Sequence, residues 1–121
     1  MTTDVTDELH VTIRPIDGSR AVIGVSGALD LRAAPTLRRH ALKLIEQGQY
    51  RLLIDMAGLG FCDSAGLSAL IGIWHGARGA GGELLLAGVP DRLMRMLKIT
   101  GVDTVLPVHP TVDDALARVA D

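Results

Sequence analysis

The chain has 121 residues, 48% of them hydrophobic, which suits one domain closed around a single core. Its 12 basic and 14 acidic residues leave a formal charge of -2, so no field gathers nucleic acid or anionic lipid, and partners must be chosen locally. Tyr50, Phe61 and Trp74, the only aromatic residues, cannot build a stacking platform for single-stranded nucleic acid.

The opening "MTTDVTDELH" is polar and acidic where a secretory signal needs a basic start and an apolar middle, so residues 1–9 are expected as a flexible lead and 10–121 as one domain. "HVTIRPID" alternates, with Val11 and Ile13 on one side and Thr12 and Arg14 on the other, as in a strand with one wet face. A turn at Gly18 leads to a second strand, Ala21 to Gly27, and the short separation favours an antiparallel hairpin. Pro35 fits the first turn of a helix whose core face carries Leu37, Ala41, Leu44 and Ile45, with Gly48 as its terminator. "RLLIDM", from Arg51 to Met56, has the unbroken apolar character of a strand covered on both sides.

A glycine-rich turn, "AGLGFC", then leads to Asp63 and Ser64, where a second helix begins. Leu67, Leu70, Ile71 and Trp74 form its expected core face. Ala65, Ser68, Ala69, Gly72 and Gly76 make an opposite face of small residues, open to a neighbouring helix or a partner. This apolar stretch is interrupted by Ser68, His75 and Arg78 before reaching the length of a membrane span, about 20 residues. "ELLLAG" reads as a strand. The next helix turns Leu93, Met96 and Leu97 inward and Arg92, Arg95 and Lys98 outward. A short strand in "TVLPVHP" precedes a final helix capped by Thr111, with Val112, Ala115, Leu116 and Val119 inward. Strands alternating with helices after a hairpin imply an α/β fold: a mixed, mostly parallel sheet with about four helices.

Few residues suggest chemistry. His10, His40, His75 and His109 stand singly, without the spacing of a metal site. Cys62, the lone cysteine, excludes an internal disulfide and argues for a reducing compartment, so a cytoplasmic location is expected. "GARGAGG" leaves a helix and enters a strand, the wrong context for a phosphate loop. Ser64 has the right context for function, at a strand-to-helix turn on the C-terminal edge of the sheet. As the nucleophile of a small serine hydrolase it has Asp103 and His109 in chain order, but Cys62 stands where the elbow needs its first glycine. Phosphate acceptance and simple helix capping, by Ser64 or Asp63, both satisfy the spacing, and the residues alone leave these two open.

"FCDSAGLSAL" resembles the Asp-Ser-Ser/Ala-Gly signature of STAS domains, specifically the bacterial anti-sigma factor antagonists. "VSGALDLRAAPTLRR" is similar to the family's Gly-Glu-Leu-Asp segment and following helix, and the order of motifs holds from about Val11 to Val119. The resemblance implies a partner-switching module with no cofactor and no catalysis. The unphosphorylated form binds an anti-sigma factor that is also a serine kinase, freeing a sigma factor. Phosphorylation ends the binding and a serine phosphatase restores it. The acceptor maps onto Ser64, flanked by Asp63, Ala65 and Gly66, and Asp30 matches the acid of the upstream segment. Ser68, Arg92, Met94 and Arg95 are expected around the same docking surface. The chain departs from the family pattern at Ala28, Ala33 and Ala65; the last leaves Ser64 as the motif's only hydroxyl. A competing implication is a non-phosphorylated scaffold or transport-complex subunit on the same fold.

Overall fold

The reversal that starts the fold is set by one carboxylate. Asp17 Oδ1 accepts bonds from the Ser19 and Arg20 amides, each at 3.0 Å, and Oδ2 takes the Arg20 Nε–H at 2.6 Å. The Ser19 amide and then the Arg20 guanidinium hold its carboxyl below the usual range. In the computed structural model, which describes residues 2–6 and 9–118, this turn joins β2 (Leu9–Pro15) to β3 (Arg20–Leu29) as an antiparallel pair. Helix α1 (Ala34–Glu46) follows, then β4 (Arg51–Cys62), α2 (Ser64–Gly79), β5 (Glu83–Ala87) and α3 (Asp91–Thr100). A 3-10 turn at Val102–Thr104, the short β6 (Val108–His109) and α4 (Val112–Arg118) complete it. From β3 onward the strands are parallel, so the α/β sheet is mixed, as expected.

The stretch expected as a loose lead contributes an edge strand instead. β1 (Thr2–Thr6) pairs antiparallel with β2, so the six-stranded order is β1-β2-β3-β4-β5-β6, and Leu9 is fully buried at the start of β2. Backbone pairing is indifferent to the polar side chains from which a lead was read. Val119, expected inside the last helix, lies outside the described residues.

One sheet face, including Val11, Ile23, Leu52, Ile54 and Leu86, is covered by α1, α2 and α3 through Leu37, Leu70, Ile73, Leu93 and Leu97. On the other face Val22, Leu53, Leu85 and Ala87 meet Ala115 of α4, with Val112 and Leu116 half-buried. Leu52, Leu53 and Ile54 thus point alternately into two covered layers, which is why β4 reads as an unbroken apolar run. Thr111 caps α4 by accepting the Asp114 N–H at 3.1 Å, as expected.

One reading along β4 needs correction. "AGLGFC" is not a turn: β4 continues to Cys62, paired with β3 across two register shifts. Gly58 allows the strands to close there, since a Cβ on it would lie 2.8 Å from Ser26 Cβ. On α2 the expected core face holds: Leu67 and Leu70 are buried, Ile71 and Trp74 are half-buried against the same core, and Ile73 and Ala77 are buried as well. In the stripe of small residues, Gly72 and Gly76 face α1, the neighbouring helix that the reading allowed for. The Arg38 guanidinium lies over Gly72, and a Cβ on Gly76 would meet Leu42 Cδ2 at 2.8 Å. Ala69 is buried, leaving Ala65 and Ser68 as the accessible small residues near the helix start.

Gly58→Ala should therefore cost about 1–3 kcal/mol, the usual range for an overpacked site, measured by urea unfolding. An unchanged midpoint would show that β3 and β4 do not close over Gly58.

Candidate functional site

β3 and β4 end side by side, with Leu29 paired to Cys62, so two strand-to-helix turns adjoin at the C-terminal edge of the sheet. Asp63 joins them. It is the N-cap of α2, in extended conformation, and its Oδ1 accepts the Gly66 N–H at 3.0 Å. Its Oδ2 accepts the Leu31 N–H at 3.2 Å from the neighbouring turn, and its own N–H donates to the Leu29 carbonyl at 3.3 Å. Asp30 organises that neighbour: Oδ1 accepts the Arg32 and Ala33 N–H groups, each at 3.0 Å. Ala33, at the N-cap of α1, makes no side-chain cap bond; Asp30 satisfies its N–H instead.

Capping is therefore the work of Asp63, and Ser64 is left over. Ser64 is the first residue of α2 and exposed, and among the described residues no hydrogen bond engages its hydroxyl. The triad reading lacks its geometry: His109 lies on β6, two strands from β4, and Asp103 lies in the 3-10 turn.

Gly66, expected at the docking surface, is buried. A Cβ there would come within 2.5 Å of the Leu29 carbonyl oxygen and 2.8 Å of Cys62 Sγ, so the glycine lets α2 seat against the end of β3. Cys62 belongs to the core, 3% exposed. Burial, and secondarily the Asp63 carboxylate, pushes its thiol up to about 11, so proximity to the helix start does not activate it.

Ala65 and Ser68 line a groove of about 300 Å³ between α1 and α2, together with Leu31, Pro35 and Arg38. Arg92 reaches the site from α3 by donating Nη2–H to the Gly60 carbonyl. Met94 is half-buried against the core rather than free on the outer side of α3. Arg95 is exposed farther along α3, and no hydrogen bond or ion pair among the described residues ties it to the Ser64 turn. Reasoning from the sequence missed two large apolar side chains, Leu31 at 73% and Phe61 at 51% exposure. Both flank the turn, and the signal was available: each is a bulky residue within three positions of an acid at a strand end. Among the described residues no cluster of three metal-ligating side chains occurs, and no helix is long and apolar enough to cross a membrane.

The chain matches the family model for the STAS domain over residues 11–115. It is 31% identical over 86 residues to the anti-sigma-B factor antagonist of Bacillus subtilis, covering 71% of this chain and 78% of that protein. To the anti-sigma-B factor antagonist of Listeria monocytogenes it is 30% identical over 101 residues, covering 83% and 88%. Its structure is similar to the crystal structure of an anti-sigma factor antagonist from Mycobacterium paratuberculosis, with a TM-score of 0.84 and 28% identity over 97% of this chain and 98% of that one.

The division of labour at the turn predicts unequal mutants. Asp63→Ala should lower stability by about 1–2 kcal/mol, the value of a lost cap, whereas Ser64→Ala should stay within about 0.5 kcal/mol of wild type, both read by denaturant melts. Equal losses would mean that Ser64 shares the cap. Because the folded thiol of Cys62 titrates near 11 and the unfolded one near 9.0, stability contributed by its neutral form falls as pH rises between those values. Native protein at pH 8 should accordingly resist iodoacetamide and become alkylated on adding denaturant; rapid labelling of the native form would contradict the burial.

Proposed function

The chain belongs to the STAS domain family, and from that membership we propose that it is an anti-sigma factor antagonist whose docking is gated by phosphorylation of Ser64. The observation that carries this reading is an exposed hydroxyl with no structural task, set at the start of a helix whose cap is supplied by its neighbour. The named relatives support the same role. In this reading the unphosphorylated form binds an anti-sigma factor with serine kinase activity in the cytoplasm and releases the sigma factor. A serine phosphatase resets it.

The docking surface is built around Ser64 from Asp30, Asp63, Ala65 and Ser68, with Leu31 and Phe61 as apolar anchors. Aromatic and aliphatic side chains that enter pockets carry much of the energy of an interface, and the rim of carboxylates gives it orientation. Gly66 contributes by allowing the turn, not by contact. Arg95 lies at the margin.

A phosphoserine adds about 1.5 to 2 negative charges and three acceptor oxygens. Within the free protein this change is mild, because the group sits at a helix N-terminus, where an anion gains about 0.3–1 kcal/mol. Against a partner it is severe. A unit negative charge on the partner roughly 6 Å away costs about 1–3 kcal/mol per pair at intermediate dielectric, and the phosphate must also be desolvated. Losing 3 kcal/mol weakens binding about a hundredfold. One modification therefore ends the complex without refolding the domain.

Incubation with the anti-sigma factor kinase and ATP should add one phosphate to the wild type and none to Ser64→Ala, as read by intact mass. Ser64→Asp should retain its circular dichroism and melting temperature yet bind the anti-sigma factor about a hundredfold more weakly, following the same electrostatic argument. An unmodified wild type in the presence of an active kinase would instead favour a scaffold that uses the fold without a phosphorylation cycle.

A further inference from the structure

We infer that Arg92 is a positioning residue for the docking edge: by holding the Gly60 carbonyl it fixes the overhanging end of β4 and, with it, the presentation of Phe61 beside Ser64. The inference rests on the reading of that edge as a docking surface.

β4 is paired unequally on its two sides. Toward β3 its ladder runs to Cys62 against Leu29, but toward β5 it stops at Asp55 against Ala87. Residues 57–62 thus project past the β5 ladder with no strand paired on that edge. The ladder that remains is irregular, with register shifts between Gly24 and Ser26 and between Gly27 and Ala28, and the overhang contains Gly58 and Gly60. A strand end with one partner, two glycines and broken register is the kind of element that opens locally at small cost.

The chain leaving β5 turns at Gly88, where a Cβ would lie 3.2 Å from Ala57 Cβ, so this connection runs along the base of the overhang. It enters α3 at Asp91, and from the first turn Arg92 reaches back across the gap to bond the Gly60 carbonyl. That bond is the side-chain hydrogen bond, among the described residues, that spans from α3 to the overhang. No carboxylate among the described residues forms an ion pair with Arg92, so none competes with the Gly60 carbonyl for the guanidinium. A hydrogen bond with a charged donor is stronger than a neutral one and favours a fixed geometry through the planar guanidinium. Phe61 is the next residue, half exposed, and Asp63 and Ser64 follow directly. Fixing Gly60 therefore reduces the conformational freedom that an anchor at Phe61 must lose on docking.

Hydrogen exchange on the free protein tests the structural half without any partner. Arg92→Ala should raise exchange of the β3-paired amides in residues 58–62 by at least about fivefold, while protection in α1 and α2 stays unchanged, because local openings are independent of the global one. Affinity for the anti-sigma factor tests the consequence through a double-mutant cycle with Phe61→Ala. Arg92→Ala should weaken binding about tenfold alone but less than about twofold when Phe61 is already gone, the signature of an effect that acts through that side chain. Unchanged exchange in the overhang would overturn the inference. A full and additive loss in the Phe61→Ala background would also overturn it, by making Arg92 a direct contact. If wild type fails to bind the anti-sigma factor at all, the proposed function falls, and the exchange result still decides whether Arg92 holds the strand.

Discussion

The site depends on a single carboxylate with two obligations. Asp63 Oδ1 closes the first turn of α2 through Gly66, and Oδ2 fastens the adjoining turn through Leu31. A helix start presents N–H groups that must be satisfied, and a serine standing beside an aspartate could have been drawn into that task. Because Asp63 satisfies both turns, the hydroxyl next to it carries no structural load. A change at Ser64 is thereby separated from the stability of the fold, the condition that the proposed phosphorylation requires.

The layers beneath the turn keep it in place. Gly66 is seated where a side chain would strike the end of β3, and Cys62 fills the space below as a neutral, buried thiol. Asp30 braces the second turn from within its own loop. On this base stand the exposed Leu31 and Phe61, one in each of the two adjoining segments. In the proposed function, an apolar pair near a chargeable hydroxyl gives a surface that attracts a partner in one state and repels it in the other. The interaction energy changes while the backbone need not.

Much of this was legible in the sequence, for identifiable reasons. Periodicity located α1, because Leu37, Ala41 and Leu44 repeat on one face and Pro35 marks the first turn. The triplet Leu52–Leu53–Ile54 announced a strand covered on both sides. The motif placed Ser64 correctly at a strand-to-helix junction, but could not say which of two adjacent polar residues capped the helix, since both have acceptors at the right reach. That depended on the extended backbone of Asp63. Gly58 and Gly60 suggested a turn because glycine is read locally, whereas Gly58 permits close approach of the neighbouring strand. The polar composition of Thr2–Thr6 concealed β1, whose pairing uses only the backbone. The small face of α2 was read as open to a neighbouring helix or a partner, and Arg38 and Leu42 of α1 lie across it at Gly72 and Gly76.

The most direct test of the central claim, that the cap and the gate are separate residues, is a crystal structure of the stoichiometrically phosphorylated protein. The phosphate should be exposed at Ser64, both Asp63 bonds should persist, and the backbone of the two turns should superpose within about 1 Å on the unmodified form, as expected for a rigid docking surface. A phosphate that displaces the Asp63 carboxylate from Gly66 or Leu31, or a rearranged turn, would contradict it.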